Sequence, residues 1–185
     1  MPLSRVTMPN PTFDQHIKGA DSLISLAINS TMSTEATIRV MDAADVEAVA
    51  DLFAVLAREF ISKEFEPAAQ ATFLSKNNAT AIRRFVANGY RYHVAELNGE
   101  IVGFVGVRDN RHLYHLFVAK SMQGRGLGRS LWQIAKEECL RHGNRGAFTV
   151  NSSRNAIPIY ERFGFVQFAE EQNLNGVLYN PMRLE

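Results

Sequence analysis

The densest chemistry in the chain lies in Gln123-Gly124-Arg125-Gly126-Leu127-Gly128-Arg129. Three glycines at alternate positions let the backbone approach a ligand closely. The stretch follows an apolar run ending at Val118 and opens an amphipathic run that reads as a helix from about Gly126 to His142. A helix start there presents unpaired N–H groups and the positive end of the dipole, and both favour an anion. One anionic charge gains about 0.3–1 kcal/mol from the dipole, and up to about 2 when partly buried. Arg125 and Arg129 add charge-assisted bonds to phosphate-type oxygens. The spacing excludes two commoner phosphate loops. No Gly-Lys-Ser/Thr follows, and G-x-G-x-G is not the dinucleotide fingerprint. A plain glycine-rich turn stays open on these residues alone.

Charge supports the anion. The whole chain of 185 residues has 20 Lys+Arg and 19 Asp+Glu, a net +1. Between Arg108 and Arg145, eight Lys/Arg stand against three Asp/Glu, a net +5, and the remainder carries −4. The near-neutral total gives no global field toward nucleic acid or an anionic membrane. The single Cys139 allows no internal disulfide and no multi-cysteine zinc site; it reads as a small buried residue. The five histidines have no ligand spacing, so no metal site is expected. No apolar run reaches the roughly 18 residues of a membrane helix. Asp14 and Asp21 precede the apolar stretch Leu23 to Ile28, where a signal peptide carries basic residues. The expectation is a soluble, cytoplasmic protein without membrane or nucleic-acid partners.

The elements that must position the loop follow from hydrophobic period and turn chemistry. Residues 1–35 have no sustained period and are read as an N-terminal extension to a domain over 36–185. Thr37 to Met41 alternates as a strand. Asp42 caps a helix whose apolar face is Val46, Val49, Ala50, Phe53, Leu56, Ala57 and Phe60. Pro67 opens a second helical region that ends near Asn88-Gly89, with a break at Asn77-Asn78. Tyr90 to Leu97, Ile101 to Val107 and His112 to Val118 form a meander through Asn98-Gly99 and Asp109-Asn110 turns. Ala147 to Val150 is a strand, Asn155 to Phe163 a helix with Pro158 in its first turn. Phe165 to Ala169 and Val177 to Leu184 are the last strands. The crossover through the Gly126 helix makes the strands on either side of it parallel.

Two blocks carry a family resemblance. Gln123-Gly124-Arg125-Gly126-Leu127-Gly128 matches the Q/R-x-x-G-x-G/A motif of the GNAT superfamily of N-acyltransferases. Asn155 through Phe165, with Tyr160, Gly164 and Phe165 in place, resembles its N-x-x-x-x-Y-x-x-x-G-F segment. The element order is also the family's, from about Thr37 to Leu184. The resemblance implies an α/β fold of GNAT type: a mixed, mainly antiparallel central sheet of about six to seven strands with about four flanking helices, splayed between the fourth and fifth strands.

The resemblance further implies transfer of an acetyl group from acetyl-CoA to a primary amine by direct attack in a ternary complex. The cofactor pyrophosphate would sit on the N–H groups of Gln123, Gly124, Arg125, Gly126, Leu127, Gly128 and Arg129. The backbone of Leu116, Phe117 and Val118 would hold the pantetheine arm and polarise the thioester carbonyl, and Asn155 would bond the arm. Tyr160 would protonate the leaving thiolate as general acid; its rival role is a core aromatic, sharing a face with Ala156, Ile159 and Phe163. His112 is the first candidate for the base, because an imidazole with a pKa near 6.5 suits proton removal at neutral pH; its rival role is a surface residue after the turn. Alternation puts His112 and Tyr114 on one face of the strand and His115 on the other. Glu59, Glu64 and Glu96 are further bases. Residues 59–78 and 172–180 would shape the acceptor side, where Glu59, Glu64, Glu66, Glu170 and Glu171 attract a cation or simply face water. Family members often dimerise through a sheet edge or the C-terminal strands, so a homodimer stays open. The alternative function is a non-catalytic CoA or acyl-CoA sensor; a nucleic-acid binder using the basic stretch ranks last.

Overall fold

The computed structural model describes residues 35–61, 65 and 67–185. The N-terminal extension therefore lies outside the described residues, apart from Glu35, and so do Glu64 and Glu66. Among the described residues, eight strands and five α-helices follow in the order β1 (Thr37–Val40), α1 (Val46–Phe60), α2 (Pro67–Ser75), α3 (Ala79–Ala87), β2 (Arg91–Leu97), β3 (Glu100–Arg108), β4 (His112–Val118), α4 (Leu127–Arg141), β5 (Phe148–Ser152), α5 (Ile157–Arg162), β6 (Val166–Gln167), β7 (Gln172–Leu174) and β8 (Val177–Leu184). The sheet order is β1-β2-β3-β4-β5-β8-β6, with β7 paired to β8. Every pairing is antiparallel except β4 with β5. The mixed, mainly antiparallel sheet is the expected one. It has one strand and one helix more than expected: the Asn77-Asn78 break separates α2 from α3, and Asn78 caps α3 by accepting from the Ala81 amide at 2.9 Å.

Local chemistry explains most of these elements. Asn98, Gly99, Asp109 and Asn110 all have positive φ, as two-residue hairpin turns require. Asp42 accepts from the Ala44 amide at 2.9 Å, and Asp45 accepts from the Asp42 amide at 2.9 Å. This reciprocal cap starts a short 3₁₀ turn that runs into α1. The two sheet faces bury separate clusters. Val49, Phe53, Ile82, Phe85, Val94 and Phe104 pack under α1 and α3. Val105, Leu113, Leu131, Trp132, Phe148, Tyr160 and Met182 pack under α4 and α5.

Two features depart from the sequence expectations. The segment β7 is polar and exposed along its length; it is a strand only because the Asn175-Gly176 turn folds it onto β8. In β4, the register slips so that Gly106 faces His115 while Val107 faces Leu113. Tyr114 is the extra residue of a β-bulge. The strict alternation therefore fails: Tyr114 and His115 both lie against Phe85, with ring centroids 5.2 and 6.3 Å away.

Arg39 of the edge strand β1 joins three elements. Its guanidinium donates to both Asp45 oxygens at 2.6 and 2.8 Å and to Glu96 of β2 at 2.7 and 3.0 Å. Arg39 first, then the Asp42 amide, hold the Asp45 carboxyl below its ordinary range against the opposing effect of burial. A depressed carboxyl stabilises the fold above its unfolded pKa of about 3.9 and loses that contribution as pH falls through the lower folded value. Asp45→Asn is expected to cost about 1.5–3 kcal/mol before solvent screening at half-exposed Arg39 is discounted. It also flattens the stability decline below about pH 4; urea unfolding at pH 7 and pH 3 measures both.

Candidate functional site

After β4 the chain turns through a short 3₁₀ segment, Lys120–Met122, and enters α4 at Gly126. Gly124 and Gly126 have φ of +74° and +84°, the left-handed region that favours glycine. Nothing lies within 4 Å of a Cβ built at either, so conformation rather than space demands glycine there. Ser130 is the first residue whose amide donates into the helix, to Gly126 at 3.1 Å, and the N–H groups of Gly124 to Arg129 meet no acceptor among the described residues. Gln123 braces the turn by donating through Nε2 to the Val118 carbonyl at 2.9 Å. Arg125 and Arg129 are exposed, and the Arg129 guanidinium stands 5.9 Å from the Phe163 ring centroid. The loop is an open row of donors with cations beside it, which suits phosphate-type oxygens.

The strand leading to this loop is unusual on one edge. β4 pairs with β3 from His112 to Val118. On its other side it pairs with β5 at His112↔Thr149 and Leu113↔Val150 only. The stretch Tyr114 to Val118, which contains Leu116, Phe117 and Val118, has no register partner there. Backbone donors and acceptors must find partners somewhere, so this edge is competent to bind an extended polar chain. Tyr160 sits in the same cluster as Leu116 and Val118. Its ring packs edge-on to Phe163 and Phe165, and its hydroxyl makes no hydrogen bond to the described residues. Burial pushes the phenol well above its ordinary pKa, so the group holds its proton at neutral pH. A buried core position and a retained phenol proton coincide in one side chain.

Other expected residues have different surroundings. His112 is held by Thr149, Nδ1 to Oγ1 at 2.8 Å. Burial first, then nearby Arg108 and Arg111, push its pKa down to about 4, with Asp109 opposing. It is a neutral but weak proton acceptor rather than the near-neutral base its type suggests. Asn155 stands inside the short 3₁₀ turn Arg154–Ala156 that leads into α5. Asn155 donates through Nδ2 to the Phe60 carbonyl at 3.1 Å, at the end of α1. Glu59 is paired with Lys120 at 2.5 Å and Glu171 with Arg154 at 2.5 Å, so both charges are already answered. Glu96 belongs to the Arg39 cluster on β2, away from the loop. Thr149 and Lys120 were not singled out by sequence; a lone threonine or lysine gives no signal until its partner is known. Among the described residues, no three His, Cys, Asp or Glu side chains gather as a metal site.

Known proteins resemble the chain in sequence and in fold. The family described as the acetyltransferase (GNAT) domain matches residues 58–185. An acetyltransferase of Agrobacterium fabrum, Atu2258, is 36% identical over 67 residues, covering 35% of this chain and 49% of that protein. The peptidyl-lysine N-acetyltransferase YiaC of Escherichia coli is 31% identical over 81 residues, covering 44% of this chain and 53% of that protein. The chain thus spans about half the length of these two relatives. The crystal structure of PaiA N-acetyltransferase from Thermoplasma acidophilum, in complex with coenzyme A, superposes with a TM-score of 0.67. It covers 81% of this chain and 98% of that one at 13% identity, a likeness of fold.

Gly126→Ala is expected to cost about 1–2 kcal/mol of stability from its left-handed φ alone. Swinging the amides also weakens binding of inorganic pyrophosphate. Urea unfolding and calorimetric titration of pyrophosphate read the two effects separately.

Proposed function

Since the chain belongs to the GNAT acetyltransferase family, we propose that it is an N-acetyltransferase that moves an acetyl group from acetyl-CoA to a primary amine by direct attack in a ternary complex. One observation carries the reading: the edge of β4 that β5 leaves after Leu113 leads, through one short 3₁₀ turn, to the amides of Gly124 to Arg129, which meet no acceptor among the described residues. An extended arm ending in a pyrophosphate matches that sequence of donors.

Bound acetyl-CoA supplies an activated thioester. The amides from Gly124 to Arg129, with the Arg125 and Arg129 side chains, hold its pyrophosphate, while Gln123, whose own amide donates to the Lys120 carbonyl at 3.3 Å, braces the turn. The backbone of Leu116, Phe117 and Val118 binds the pantetheine arm, and an N–H of this segment polarises the acyl carbonyl. Asn155 adds its carboxamide oxygen, since its nitrogen is engaged by Phe60. Tyr160, protonated at neutral pH, donates to the departing sulfur. With Nδ1–H turned to Thr149, His112 offers Nε2 to the proton released as the amine attacks. Its low basicity means that it acts on the free amine and does not strip an ammonium. The acceptor side is bounded by the end of α1, α2 and the β7–β8 hairpin. The name of the Escherichia coli relative supports a lysine-bearing peptide as the first acceptor to try, with spermidine and free amino acids beside it.

Thiol release from acetyl-CoA with this amine panel tests the reading. Amine-dependent release supports it; saturable CoA binding without release by any amine supports the sensor instead. Tyr160→Phe is expected to lower kcat about 10²–10⁴-fold with little change in the calorimetric Kd for CoA. An unaltered kcat removes Tyr160 as the acid.

His112 is neutral above about pH 4. Between pH 5 and 9, kcat/KM for the amine therefore rises with the amine's own deprotonation and has no inflection near 6.5. An inflection there that His112→Gln abolishes would contradict this state of the ring.

A further inference from the structure

Tyr92, Gly106 and His115 form one row across three neighbouring strands: Tyr92 pairs with Gly106, and Gly106 with His115. Strands two apart are separated by about 9.5 Å. Only a long side chain lying across the middle strand spans that distance, and Gly106 clears its path. A Cβ there would sit 2.4 Å from Tyr92 Cε1 and 2.7 Å from its Cζ. The Tyr92 hydroxyl thereby reaches His115 Nδ1 at 3.0 Å. On the other side, His115 Nε2 lies 3.0 Å from Asn77 Oδ1. Asn77 Nδ2 then donates to the Phe73 carbonyl of α2 at 2.8 Å.

The bonds set one another's direction. Asn77 uses its nitrogen on Phe73, so its oxygen accepts from His115 Nε2–H. His115 Nδ1 then accepts from Tyr92. Tyr92, Asn77 and His115 are only 3%, 5% and 5% exposed, so each polar end needs its partner. The surroundings are apolar: the rings of Phe53, Phe104 and Phe117 lie 5.3 to 5.9 Å from the imidazole. A phenylalanine at 115 would suit such a pocket without desolvating a polar ring. What an imidazole adds is a two-ended directional link, and satisfied buried networks specify one arrangement of the elements they join. The elements joined are the bulged segment of β4 and the α2–α3 corner.

We infer that His115 is a positioning residue for acyl transfer: through Tyr92 and Asn77 it holds the β4 bulge and the α2–α3 corner in one relative setting, so that an amine entering past α2 meets the acyl group aligned along Leu116 to Val118. This rests on the acetyltransferase reading above. His115 itself touches neither substrate.

The test compares the full chain with His115→Phe, His115→Gln and Tyr92→Phe, each assayed well below its melting temperature. The readouts are CoA affinity by calorimetry, steady-state kinetics with acetyl-CoA and whichever of a blocked lysyl peptide or spermidine the wild type acetylates, and amide hydrogen exchange. His115→Phe is expected to leave the Kd for CoA within about twofold and to lower kcat/KM for the amine about ten- to a hundredfold. His115→Gln, which keeps one donor and one acceptor, recovers most of that loss. Tyr92→Phe loses a single oxygen; it shows an intermediate loss and faster exchange at Asn77 and at Tyr114 to Leu116, and it carries the test if His115→Phe does not fold. Folded His115→Phe and Tyr92→Phe with wild-type kcat and KM, altered only in melting temperature, overturn the inference and leave the acetyltransferase reading standing. A wild-type chain that releases no thiol with any amine of the panel overturns both.

Discussion

The backbone of β4 has two edges and only one full partner. A strand inside a sheet is expected to satisfy N–H and C=O groups on both sides. β4 does so with β3 from His112 to Val118 apart from the bulged Tyr114, but with β5 only at His112 and Leu113. Through its opposite edge β5 pairs with β8 along its full length, over Phe148↔Leu184 to Ser152↔Asn180. The rest of the architecture accommodates that early parting. The α4 crossover makes β4 and β5 parallel, the glycine turn starts α4 with its amides free, and α5 brings Tyr160 into the cluster that holds Leu116 and Val118.

Much of this was legible in the residues. Paired turn residues with positive φ marked both hairpins of the meander, and the range His112–Val118 emerged unchanged as β4. The apolar face read for α1 is buried at every position but Phe60, which is half-buried. Gly124 and Gly126 answer a left-handed backbone, while Gly128 is helical. The bulge was not legible, because it depends on packing between strands: Tyr92 must lie across Gly106 before His115 has a reason to turn. The exposed strand β7 had no hydrophobic pattern to read. Electrostatic state was hidden for the same kind of reason. Glu59 and Lys120 are 61 positions apart in the chain, and the low basicity of His112 arises from its burial and its arginine neighbours.

The two sheet faces divide the labour. The face under α1 and α3 contains the polar thread from Tyr92 to Phe73 and the end of α1 to which Asn155 bonds. The face under α4 and α5 is apolar around Trp132, Phe148 and Phe165, and buries Tyr160 among them. A ligand along the free edge of β4 would touch both faces at once. A rigid apolar layer would hold the donor, and a hydrogen-bonded layer would set the geometry of approach.

Cys139, the one cysteine in 185 residues, is fully buried on α4, and burial raises its thiol pKa. Reagents that report sulfhydryls attack the thiolate, so the folded chain is silent to them. Any sulfhydryl signal that grows in a reaction mixture therefore comes from the small molecules. A cysteine introduced by design, for example at the tip of the β7–β8 hairpin, would be the sole site for a fluorophore or spin label without first removing a native one.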